Sequence, residues 1–209
     1  MHGMVLIIIG LLLGAIDINV PMGISYDKYI SSPELGGVFQ EYVIGNMVGT
    51  KAMFDVLPDI LGYFLIAIGI YLLTKYGNKL LISYPFLGLV IAKTIIIPCL
   101  PFLYNGKALC YSVLFLTFLG VITEILMEYF LVKGLIKMTS VIQNERNNVA
   151  VRIGWLISIA CKTVIFVTGF VGINFLTYVY GTVYIVATIF YCFKLFKSKD
   201  YLGITADKV

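Results

Sequence analysis

Long apolar runs separated by short polar breaks set the rhythm of this chain. The first run, 4–20, reads MVLIIIGLLLGAIDINV and carries Asp17 near its end. The second, 56–74, follows the motif Asp55-Val-Leu-Pro-Asp59 and has no charge between Ile60 and Thr74. Pro58 suits a first helical turn, where its missing N–H is not needed. The third, 80–104, is interrupted by Lys93, and Pro98 and Pro101 predict a kink or an early end. Asn105-Gly106 is a turn signal. The fourth, 108–132, carries Glu124 and Glu128, and the polar stretch Gln143–Asn148 after it reads as a loop. From Thr163 to Phe193 there are 31 residues without a charge. As one helix they would measure about 46 Å, too long for a hydrocarbon core of about 30 Å. A tight turn is therefore expected at Gly172-Ile173-Asn174, dividing a fifth segment, 152–171, from a sixth, 175–193. A cleaved signal peptide competes with a retained helix for the first run. Only Met1, His2 and Gly3 precede it, however, with no cationic start and no clean small-residue cleavage site after it.

Composition agrees with this pattern. Of 209 residues, 60% are hydrophobic and 12% charged, with mean hydropathy +0.99. Soluble domains carry about 25% charge, so a water-soluble globule is excluded. At about 20 apolar residues per crossing, the length holds roughly five to seven helices. The expected fold is all-α: a polytopic transmembrane bundle of six helices, forming one integral membrane domain over 1–209. A net charge of +4 does not call for a polyanion, and no nucleic-acid partner is expected.

The cations orient the bundle. Six crossings put both termini on one side with Lys75, Lys79, Lys133, Lys137, Arg146, Arg152, Lys194, Lys197, Lys199 and Lys208. Lys28, Lys51 and Lys107 fall on the other side, and Lys93 and Lys162 lie within helices, which accounts for all 15. The positive-inside rule then places both termini in the cytoplasm. The outer side is acidic: Asp17, Asp27, Glu34, Glu41, Asp55 and Asp59, six of the 11 carboxylates, lie in or beside loop 21–55. Leu35, Val38, Phe39, Tyr42 and Val43 recur at helical spacing within it, which predicts an interfacial helix over 34–47.

An ionisable side chain at bilayer depth costs at least about 2.5–3.5 kcal/mol and calls for a reason. Glu124 and Glu128, four residues apart, share one helix face. The heights of Lys93 and Glu124 differ by roughly 7 Å, within reach of a long lysine, and Lys162 also falls near mid-membrane. The fourth segment is therefore expected to turn its carboxylates toward lysines on its two sequence neighbours. This network is either a polar solute site or proton relay, or a structural ion pair holding helices together, with Glu128 and Lys162 also able to snorkel. Asp55 and Asp59 either complement a helix dipole or form an outer acidic vestibule with Asp17 that takes a cation or cationic solute.

Weaker signals add little. Gly10-Leu-Leu-Leu-Gly14 is a close-packing spacing that arises readily by chance in so apolar a chain. Asp55-x6-Gly62 is echoed by Asn174-x6-Gly181, but two aligned positions do not establish a repeat. Tyr76, Tyr84, Tyr104, Tyr111, Tyr129 and Trp155 fall near the expected interfaces, where aromatic rings anchor helix ends.

Much catalytic chemistry lacks its residues. The single histidine, His2, leaves histidine-based triads and zinc sites unsupported. The cysteines, Cys99, Cys110, Cys161 and Cys192, form no C-x-x-C. Cys99 and Cys110 both fall on the outer side, either as a disulfide or as free thiols. No phosphate-cradling glycine loop occurs, and Tyr26-Asp27 and Asp55-x3-Asp59 lack the partner motifs of intramembrane aspartyl proteases and phosphatidyl-alcohol transferases. No cofactor and no metal are expected, and the reading leans away from an enzyme.

The motif Asp55-Val-Leu-Pro-Asp-Ile-Leu-Gly-Tyr63 resembles one found in small, uncharacterised bacterial polytopic membrane proteins. The resemblance covers nine of 209 residues. It implies a bacterial inner-membrane location and carries over no activity. The leading expectation is a membrane protein that binds or transports a small polar solute or ion, alone or as a subunit of a larger transporter. Its rivals are an accessory protein acting through a membrane partner and a lipid-modifying enzyme using the outer carboxylates.

Overall fold

The computed structural model describes residues 2–16, 19–25, 51–55, 59–104, 106–140, 144–171 and 174–202. Within them lie six helices: α1 (His2–Leu13), α2 (Asp59–Leu73), α3 (Ser83–Leu103), α4 (Gly106–Thr139), α5 (Glu145–Val171) and α6 (Asn174–Lys197). Two strands, β1 (Asn19–Ser25) and β2 (Lys51–Asp55), pair antiparallel between α1 and α2. The fold is helical as expected, and this ribbon takes up the two ends of the expected loop 21–55. The interfacial helix expected over 34–47 lies outside the described residues.

Five stretches, from Asp59–Tyr76 through Phe175–Tyr201, are long and apolar enough to cross a bilayer. Their outward faces carry large exposed apolar side chains such as Leu61, Phe64, Ile68, Phe115, Phe118 and Val186. So much exposed apolar surface suits lipid rather than water, and the chain is a multi-pass membrane protein. The helix expected over 4–20 is shorter: α1 has 12 residues, about 18 Å. It does not span a bilayer by its own length.

Neighbouring helices pack as antiparallel pairs. In α1 and α2 the partners are glycines. A Cβ on Gly3 would sit 2.7 Å from the Gly69 carbonyl oxygen, and one on Gly62 2.8 Å from that of Gly10. The seven-residue spacing Gly3/Gly10 thus matches Gly69/Gly62, and backbones meet where small residues allow it. Gly10 of the G-x-x-x-G is used, while a Cβ on Gly14 would meet only the Gly10 carbonyl of its own helix, at 3.6 Å. In α3 and α4, Phe86 stacks on Phe130 at 5.2 Å between ring centroids. The α3 helix continues through Pro98 and Pro101 to Leu103 and does not end early. The α5–α6 pair closes with Ser158 and Thr188 hydroxyls 3.2 Å apart, and with Thr177 donating to Thr168 at 3.0 Å. Helix α5 ends at Val171 and α6 begins at Asn174, the interval where the tight turn is expected.

The polar stretch expected as a loop is instead mostly the first turn of α5. Asn144 and Asn148 are buried there, and Asn147 beside them is half-buried. Asn147 Nδ2 donates to the Lys194 carbonyl at 2.8 Å and to Ser198 Oγ at 2.7 Å, and Asn144 Nδ2 to the Thr139 carbonyl at 3.1 Å. These amides satisfy carbonyls that the ends of α4 and α6 leave open. They fasten three helix ends together.

Candidate functional site

The mid-chain charges converge around α4. Glu124 and Glu128 lie on one face of that helix, one turn apart. Lys93 of α3 brings its Nζ to 3.6 Å from Glu124 Oε1. Lys162 of α5 reaches both carboxylates, at 3.5 Å from Glu124 Oε2 and 2.8 Å from Glu128 Oε1. The four groups carry zero net charge, two lysines against two glutamates, as a low-dielectric interior requires. The side chains are largely shielded, from 23% exposure at Lys93 down to 7% at Glu128.

Three further residues complete the site and were missed in the sequence. Tyr63 of α2 donates its hydroxyl to Glu124 Oε1 at 2.6 Å. The Tyr184 ring of α6 lies 5.5 Å from Lys162 Nζ, a cation–π distance. Gly120, one turn before Glu124, leaves room for the lysine stem: a Cβ there would fall 3.0 Å from Lys93 Cε and Cγ. Gly120, Glu124 and Glu128 form one row at four-residue spacing, so the glycine carries a readable signal. The tyrosines do not, because phenols are common at helix ends and nothing local marks these two as buried partners.

The network is not fully satisfied. Glu128 is 5% exposed, and its Oε2 has no hydrogen-bond partner among the described residues. Beside it is a cavity of about 10 Å³, lined by Glu124, Glu128, Lys162, Tyr63 and Tyr184, with Gly10 of α1 and Gly14 just past that helix. That volume holds about one water molecule. The polar space at the network is small, and α1, α2 and α6 contribute to it as well as α4 and α5.

Of the expected outer vestibule, only Asp59 has its side chain among the described residues. Asp17 lies outside them. Asp55 ends β2, its backbone in register with Asn19, and its side chain is outside the description. Asp59 is the first residue of α2, where a carboxylate complements the helix dipole. Among the described residues no three His, Cys, Asp or Glu side chains form a metal-binding group. Cys99 is an exposed free thiol, and Cys161 and Cys192 are buried free thiols. The side chain of Cys110, the candidate disulfide partner of Cys99, lies outside the description.

No protein family, curated protein or solved structure matches the chain.

Proposed function

We propose that the protein is an integral membrane protein that binds and moves a small polar solute or ion, and that the species handled by the buried network is the proton. The observation that carries this reading is the bare Oε2 of Glu128 beside a cavity fit for one water. Lys162 is shared unequally, 2.8 Å from Glu128 and 3.5 Å from Glu124. Protonating Glu128 releases Lys162 wholly to Glu124, which already holds the Tyr63 hydroxyl. Deprotonation draws it back. This is a two-position element that a proton can bias.

The topology that serves this role has six crossings with both termini cytoplasmic, in a bacterial inner membrane. The glycine pairing supports counting α1 as a crossing, because it sets that helix alongside nearly the whole of α2. Partners in this reading are the lipid bilayer, the solute itself and a membrane subunit that supplies an energy source.

One observation favours a second reading. The space at the charge network holds no more than about one water, as a non-catalytic accessory protein with its charges as packing glue would have it. Proteoliposomes carrying a trapped pH dye and a potassium diffusion potential separate the two. The proton reading expects uptake above protein-free vesicles, lost in Glu128→Gln while the variant stays folded. Uptake at the protein-free level in wild type, or undiminished in Glu128→Gln, rejects it and leaves the accessory role.

A further inference from the structure

A second concavity lies between α4 and α5, toward the end where the two helices meet. Its volume is about 330 Å³. Lys133, Lys137 and Arg152 line it together with an apolar and aromatic wall that includes Tyr129, Trp155 and Leu156. The positive-inside rule explains why cations sit on this side of the membrane. It does not explain why three of them share one groove without a carboxylate. Among the described residues none of the three makes a salt bridge, and Lys133 donates instead to the Tyr129 hydroxyl, at 2.8 Å.

The depth order within the groove is informative. Lys137 lies two residues from the end of α4, and Lys133 and Arg152 lie six and seven residues in from theirs. Trp155 is three residues farther into α5, about 4.5 Å, and Tyr129 eight residues farther into α4 than Lys137, about 12 Å. Cations therefore occupy the shallow end and apolar surface the deep end, the polarity of a phospholipid. The Tyr129 and Trp155 rings lie 5.7 Å apart and make the deep wall continuous. The indole Nε1 of Trp155 is covered and has no acceptor among the described residues.

We infer that this groove is a binding site for an anionic phospholipid, its phosphate held by Lys133, Lys137 and Arg152 and an acyl chain laid along Trp155 and Leu156. Basic pockets between membrane helices bind acidic headgroups in this way. A zwitterionic lipid brings its own cation against the three and is disfavoured. The site is separate from the buried network, and the inference does not rest on the proton reading.

Trp155 is the only tryptophan in the chain, so its fluorescence reports on this groove alone. The full-length protein is reconstituted in mixed vesicles in which either phosphatidylglycerol or phosphatidylcholine carries brominated acyl chains, which quench at contact range. At matched mole fractions the brominated phosphatidylglycerol is expected to quench with a preference of at least about tenfold, which is less than the combined pull of three surface cations allows. The preference is expected to vanish in the triple variant Lys133→Gln, Lys137→Gln, Arg152→Gln. It is expected to survive in Lys133→Arg, Lys137→Arg, Arg152→Lys, which keeps the charge and guards against a folding artefact. Equal quenching by both lipids in wild type overturns the site. So does a preference unchanged by the glutamine variant. Complete competition by soluble glycerophosphoglycerol at millimolar concentration overturns the lipid assignment in favour of a free phosphate ester.

Discussion

Replacing Lys162 with methionine tests the energetics of the core directly. Methionine keeps most of the lysine's volume and length and removes the charge. Glu128 then loses its only ion-pair partner among the described residues, at 2.8 Å, while its second oxygen is already bare. Glu124 fares better, because Lys93 at 3.6 Å and the Tyr63 hydroxyl at 2.6 Å remain. Removing one member of a buried pair costs about 3–5 kcal/mol, because the other charge stays buried and uncompensated. The expected loss for Lys162→Met is of that size, and nearly all of it belongs to Glu128. Adding Glu128→Met therefore restores most of the stability, leaving the Lys93–Glu124 pair intact, whereas adding Glu124→Met does not. Lys93→Met alone costs less, about 1–2 kcal/mol, since Glu124 keeps a lysine and a phenol. Equilibrium unfolding in mixed detergent and SDS micelles, followed by Trp155 fluorescence, measures all of these. The reasoning is refuted if Lys162→Met unfolds at the wild-type midpoint, or if the two glutamate replacements rescue it equally.

Other expectations follow from single contacts. Gly10→Val drives a branched side chain into Ile66, whose Cγ1 would lie 2.7 Å from the new Cβ. The overpacking is expected to cost about 1–3 kcal/mol, read as a lower thermal midpoint in detergent. Gly120→Val displaces the Lys93 stem. Its effect should be less than additive with Lys93→Met in a double-mutant cycle, and strict additivity would place the lysine elsewhere. Asn147→Ala removes donors 2.8 and 2.7 Å from the Lys194 carbonyl and Ser198, with an expected loss of about 1–3 kcal/mol and faster proteolysis at the α6 end. A membrane-permeant maleimide should label Cys99 in the folded protein and Cys161 and Cys192 only after SDS unfolding, which mass spectrometry of the labelled peptides decides.

The sequence announced the core charges because it is otherwise so apolar. Against an uncharged background, Glu124 and Glu128 at one-turn spacing and one lysine on each flanking helix leave few ways to place four charges in oil. Tyr63 and Tyr184 were not legible for the opposite reason: phenols are common here, and only the packing of α2 and α6 against α4 and α5 selects two of them. The Gln143–Asn148 stretch was misread because polarity alone cannot separate a solvated loop from a buried cap. Its amides face the open carbonyls of other helices, information that comes from positions 139, 194 and 198. The length of α1 was overestimated because apolar character continues to Val20 whereas the helix stops at Leu13, giving way within a few residues to the β ribbon.

The glycine seam between α1 and α2 has a consequence for assembly. The 12 residues of α1 are synthesised before α2, the helix that receives them, and the 45 residues from position 14 to 58 separate the two. Until then the leading segment has no backbone to nest against and is too brief to hold its own station across the bilayer. Its final depth is set later, by the arrival of its partner. The order of synthesis and the order of settling are therefore different, and the earlier helix of this pair waits on the later one.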